Sequence, residues 1–115
     1  SVGAEKEALV EQLSRMSGRE GASMKTSGDY PAWEYRKCSP LREDCVRIYE
    51  ELFGTKPKVE AIHAGLECGI LASKIADLDC VSMGPEIRDI HTTEERLSIS
   101  SVQRTWKYIL EILKR

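Results

Sequence analysis

The apolar positions near the start of the chain are Leu9, Val10, Leu13 and Met16, spaced i, i+1, i+4 and i+7 among Glu5, Lys6, Glu7, Glu11 and Arg15. That spacing predicts a surface helix with one buried face, ending near Ser17-Gly18, where glycine accepts a left-handed cap. Ala22-Ser23-Met24-Lys25-Thr26 alternates weakly and suits a short strand. Ser27-Gly28-Asp29-Tyr30-Pro31 is the strongest break in the chain, because the residue before a proline is pushed out of helical space. A domain boundary is expected there. Ser39-Pro40 opens a second helix, with serine as N-cap and proline at the first helical position, followed by the face Leu41, Cys45, Ile48, Tyr49 and Leu52, which Gly54 closes. Lys58 to His63 reads as a strand, Leu66 to Ile75 as a short helix, and Asp79-Cys80-Val81-Ser82-Met83 as a second strand stopped by Gly84-Pro85. Two strands joined by a helix of that length are expected to run parallel. Ser100-Ser101-Val102-Gln103 looks like a capping box, and the last helix carries its apolar face on Val102, Trp106, Ile109, Leu110 and Leu113.

Composition narrows the class. The 115 residues suit one ordinary domain, and 41% hydrophobic with 31% charged residues describes a folding chain. Seventeen basic residues against nineteen acidic ones give a net charge of -2, with both signs interspersed, so the basic stripe of a nucleic-acid-binding protein is absent. No run approaches the roughly 18 apolar residues that span a bilayer, and no secretory signal pattern opens the chain. The four cysteines form no C-x-x-C pair, and a reducing cytoplasm is the expected compartment. The first residue is Ser1 rather than methionine, consistent with a piece of something longer.

The two histidines are the chemical clue. His63 follows the first predicted strand, in His63-Ala64-Gly65-Leu66-Glu67-Cys68-Gly69, and His91 follows the second, in the segment from Gly84 to Glu95. Neighbouring parallel strands release their C-terminal loops at one sheet edge, where open α/β folds bind ligands. Imidazole chemistry, as metal ligation or proton transfer, would be concentrated there. The plainer readings stand beside it: hydrogen-bonded structural histidines, turn glycines at 65 and 69, solvated charges at Glu94 and Glu95, cysteines as small packing residues, and Tyr30, Trp33 and Tyr35 packing a domain joint. Cys68 has no adjacent base to make it a nucleophile. Two histidines fall short of the three protein ligands of a catalytic zinc, so most ligands of any metal site lie elsewhere.

These motifs resemble a known family. Ile62 to Gly69, Val81-Ser82-Met83-Gly84-Pro85, His91-Thr92-Thr93-Glu94-Glu95 and the helix after Ser100 are similar to the C-terminal part of the aminoacyl-histidine dipeptidases, also called Xaa-His or cytosolic non-specific dipeptidases. Gly28 to Trp33 and Tyr49 to Phe53 fit the same pattern, so the resemblance covers nearly the whole chain. It implies an α/β fold: a partial parallel or mixed sheet flanked by helices, from a catalytic domain (residues 31–115), after a remnant of an α+β lid or dimerisation domain (residues 1–30). It further implies hydrolysis of Xaa-His and related dipeptides by water activated at two zinc ions, with His91 as a ligand of one. Gly65, Glu67 and His63 would line the substrate pocket. The general base and the remaining ligands belong to a segment not in this sequence, and none of Arg15, Arg19 or Arg36 matches the substrate-carboxylate arginine. The chain alone is therefore expected to be inactive, the complete protein to be a cytoplasmic homodimer through its lid, and exposed strand edges to favour self-association. A related zinc amidohydrolase, either an acylamino-acid deacylase or a carboxypeptidase, is the alternative within the fold. A non-catalytic interaction module is the alternative outside it.

Overall fold

The computed structural model describes residues 2–62 and 66–115. Four helices, α1 (Val2–Arg19), α2 (Pro40–Phe53), α3 (Glu67–Lys74) and α4 (Ile99–Leu113), accompany one hairpin of β1 (Ile87–Arg88) and β2 (Arg96–Leu97). The chain divides into two compact units, Ser1–Lys37 with Ala61–Leu78 and Cys38–Glu60 with Asp79–Arg115.

In the first unit, α1 ends through Gly21 at a φ of 74°, and Lys6 Nζ reaches both the Asp29 carboxylate (2.5 Å) and the Tyr30 carbonyl (2.8 Å). That ammonium holds the Asp29 carboxyl below its usual range, first by its hydrogen bond and then by its charge. The face expected to be buried is open: Leu9, Leu13 and Met16 are all more than two-fifths exposed. Helix α3 packs tightly against the backbone at Pro31 and Trp33. A Cβ on Gly69 would stand 3.0 Å from the Pro31 carbonyl oxygen and 3.4 Å from Trp33 Cβ, so Gly69 permits close approach and is no turn glycine.

The second unit holds a core built where α2 crosses α4. Cys45, Ile48 and Tyr108 are buried, with Leu41, Tyr49, Leu52, Phe53, Val81 and Ile112 packed around them. Tyr49 lies edge-on to Tyr108 at 5.3 Å and tilted against Phe53 at 4.7 Å, both favourable aromatic geometries. Ser39 caps α2 as expected, accepting from the Arg42 N–H, and Gly54 closes the helix at a φ of 70°. Asp79 reinforces that start: its carboxylate accepts from Ser39 Oγ at 2.7 Å and from the Leu41 N–H at 3.1 Å. A carboxylate there also meets the positive end of the helix dipole. Helix α4 is capped by Ser98, two residues before the expected box. Ser101 is buried on α4; its hydroxyl accepts from the Glu86 N–H at 2.8 Å and donates to the Ser98 carbonyl at 2.7 Å.

Of the expected α/β architecture, the described residues form four helices and one small antiparallel hairpin. Segments 22–26, 58–62 and 79–83 are not strands, and the ladder present among the described residues is antiparallel, pairing Ile87 with Leu97 and Arg88 with Arg96. Alternating polarity suits a segment to a pleat, but a strand exists only where a second backbone pairs with it. No parallel sheet is formed among the described residues.

Candidate functional site

His91 sits in the seven-residue loop, residues 89–95, that closes the hairpin. A hairpin was not expected there, because no Asn-Gly or Asp-Gly pair signals it and only Ile87 and Leu97 mark its strands. The register sets Arg88 directly opposite Arg96, a like-charge pair that would weaken the hairpin unless each arginine were neutralised. Both are. Arg88 Nε and Nη2 donate to Glu86 Oε1 at 2.9 and 2.7 Å, and Arg96 Nη2 donates to Asp89 Oδ2 at 2.6 Å.

Within the loop the backbone turns twice through left-handed space, with φ of 52° at Asp89 and 64° at His91. For residues carrying a Cβ this costs on the order of 1 kcal/mol each, so local bonds must hold it. The Asp89 carbonyl accepts from the Thr92 hydroxyl at 2.6 Å and the Thr92 N–H at 3.2 Å. Thr92 Oγ1 accepts from the Glu94 N–H at 3.2 Å, and Glu95 Oε2 accepts from the His91 N–H at 2.9 Å. Glu95 is therefore not merely a solvated charge. It fixes the backbone of the histidine four residues before it, a role visible in sequence only as a short acidic spacing. The result is an exposed imidazole carried on a constrained loop.

The other expected site residues are placed less informatively. Glu67 is the first residue of α3, exposed, where its carboxylate complements the helix N-terminus, because Leu66 offers no capping side chain. His63 and Gly65 lie outside the described residues, and so does the convergence of the two histidines at one edge. Among the described residues no three His, Cys, Asp or Glu side chains come together as a metal site. An open groove beside the hairpin, lined by Glu86, Arg88, Arg96, Leu97 and Ser98, is charged and holds no imidazole.

The strongest titration effects lie away from this loop. Burial raises the Cys45 thiol above its ordinary value, and burial raises Tyr108 further, reinforced by Cys45 beside it. Both are packing residues of the α2–α4 core.

Comparison with known proteins decides the lineage. The chain is 35% identical over 109 residues to the cytosol non-specific dipeptidase of Escherichia coli (strain K12), a match covering 95% of this chain and 22% of that protein. It is related to these dipeptidases. The crystal structure of aminoacylhistidine dipeptidase from Vibrio alginolyticus superposes with a TM-score of 0.78 at 32% identity, covering 96% of this chain and 23% of that one. The dipeptidase-related chain thus spans less than a quarter of the length of the relatives it matches. No protein-family profile matches it.

Proposed function

We propose that this chain is the part of a zinc dipeptidase that presents His91 to one of two metal ions, the complete enzyme hydrolysing Xaa-His and related dipeptides. The observation that carries the reading is the conjunction of the dipeptidase kinship over 95% of the chain with an exposed imidazole whose backbone is held left-handed by Glu95. The donor chemistry fits a single zinc ligand, since an imidazole nitrogen suits zinc and the neighbouring carboxylates are engaged: Asp89 with Arg96, Glu95 with the His91 N–H. Among the described residues no complete set of zinc ligands comes together. When bound, zinc would acidify water and polarise the scissile carbonyl.

This chain's own contribution is positional. Glu95 and the Asp89–Thr92 turn fix the loop, so the imidazole pays little ordering entropy on ligation. Gly65, Glu67 and His63 belong to the substrate pocket in this reading. Segments 22–26, 58–62 and 79–83 become strands only beside the remainder of the fold, residues 1–30 continue a lid through which the enzyme dimerises, and the enzyme works in the cytoplasm. No helix among the described residues is long and apolar enough to cross a membrane.

The test is complementation. The E. coli dipeptidase lacking the region this chain matches is mixed with the chain and assayed for zinc-dependent hydrolysis of an Xaa-His dipeptide. Activity is expected from the mixture and from neither component alone, and His91→Ala is expected to remove it. Full activity with His91→Ala sinks the ligand assignment, and cleavage of N-acylated amino acids in place of dipeptides redirects the reading to an amidohydrolase.

A further inference from the structure

Helix α4 is apolar on two sides, and only one of them is used. Ser101 and Tyr108 are buried and Ile112 packs beside them against α2. At roughly 100° per residue, Val102, Trp106, Leu110 and Leu113 fall within an arc of roughly 80° whose centre lies roughly 140° from that packed face. These four are 38%, 62%, 41% and 77% exposed. Ile109, half-buried, lies between the two sides. A helix apolar over so much of its circumference belongs between two layers rather than on a surface. Trp106, central in the stripe, has the size and rigidity of an interface anchor.

We propose that the stripe of Val102, Trp106, Leu110 and Leu113 is a docking surface for the remainder of the dipeptidase fold, whose apolar layer covers α4 on the side away from α2. The inference rests on the functional reading above. What identifies the occupant is length: the chain accounts for 22% of its E. coli relative and 23% of its Vibrio relative, so about four-fifths of each is available to supply the missing layer. A second copy of this chain would cover the stripe in a different way, and that outcome is distinguishable.

Two preparations test it: the chain mixed with the E. coli dipeptidase lacking the matched region, and a chimera in which the chain replaces that region. Leu110→Glu and Trp106→Ser are placed in each. The isolated variants are expected to keep the helical circular dichroism of the parent, because neither side chain is buried, at 41% and 62% exposure. Association in the mixture, followed by gel filtration and titration, is expected to weaken at least about tenfold with either substitution, and the chimera to lose thermal stability. Undiminished association, a chimera indifferent to both changes, or no association by the parent chain in either preparation overturns the proposal. So does a concentration-dependent dimer of the chain alone that Leu110→Glu disperses, since the occupant is then a second copy. A stripe-dependent complex that hydrolyses no dipeptide would sink the functional reading and leave the docking surface intact. Hydrolysis unaffected by both variants would do the reverse.

Discussion

The residue that joins the two halves of the second unit is Tyr108. Its hydroxyl donates to the Cys45 carbonyl at 2.7 Å inside the core, so the ring packs as a hydrophobe while its one polar atom is satisfied. Tyr108→Phe is expected to cost about 1 kcal/mol by removing this hydrogen bond between α4 and α2, the carbonyl keeping its helical partner, measurable by urea unfolding at neutral pH. Both Cys45 and Tyr108 hold their protons more tightly when folded than when unfolded. Their stabilising effect is complete below the ordinary values of 9.0 and 10.0 and declines as pH rises through them. Tyr108→Phe should therefore flatten the alkaline loss of stability above about pH 10, and a slope unchanged by the substitution would contradict the assignment. At His91 the expectation has the opposite sign. His91→Gly is expected to stabilise the isolated chain by up to about 1 kcal/mol, because glycine takes a φ of 64° without the Cβ penalty, while abolishing any complemented activity. Gly69→Ala is expected to destabilise by about 1–3 kcal/mol, since the Pro31 carbonyl that its methyl would meet is backbone and cannot swing away.

At the scale of elements, the helices were legible because their signals are local. The Ser39-Pro40 start, the Gly54 stop and the Leu41 to Leu52 face of α2 need nothing beyond their own sequence. Strands are different, since pairing is a property of two segments, and three alternating stretches stay irregular without a neighbouring backbone. Which side of α4 packs on α2 was not legible from its apolar spacing, for a physical reason. By apolarity alone Trp106 outranks Tyr108, yet a tyrosine hydroxyl can reach a carbonyl inside the core and so takes the buried side. The hairpin was equally hidden, because ion pairs to Glu86 and Asp89 rather than turn chemistry make its Arg88–Arg96 register tolerable. Asp79, read only as the start of a strand, anchors the first turn of α2. Asp79→Ala is expected to lower stability by about 1–2 kcal/mol, and Asp79→Asn to lower it less, because an amide oxygen still accepts one of the two bonds.

For the whole molecule, the contrast is between a satisfied interior and an open exterior. No buried side-chain polar atom among the described residues lacks a hydrogen-bond partner, yet in the second unit Trp106 and Leu113 stand 62% and 77% exposed, and in the first unit Leu9 and Met16 stand 55% and 53% exposed. Apolar exposure on that scale marks an interaction surface. The chain is expected to bind the dye ANS while keeping its helical circular dichroism, and Leu9→Glu with Leu13→Glu to reduce that binding. Equal dye binding before and after would show that the α1 face is covered. The candidate site was legible as a residue type and a spacing, His91 in a loop. The device that fixes it, a carboxylate four residues on, was not, because backbone conformation leaves little trace in composition.

The bond between Asp79 and the start of α2 has a consequence for synthesis. Its partners, Ser39 and Leu41, precede Asp79 by 40 and 38 residues. At a translation speed of about 5–20 residues per second, the first turn of α2 waits on the order of 2–8 seconds for the carboxylate that completes it, and longer still for Tyr108. The second unit is consequently completed late, and a stalled nascent chain ending before Asp79 is expected to leave α2 more open to proteases than the full chain does.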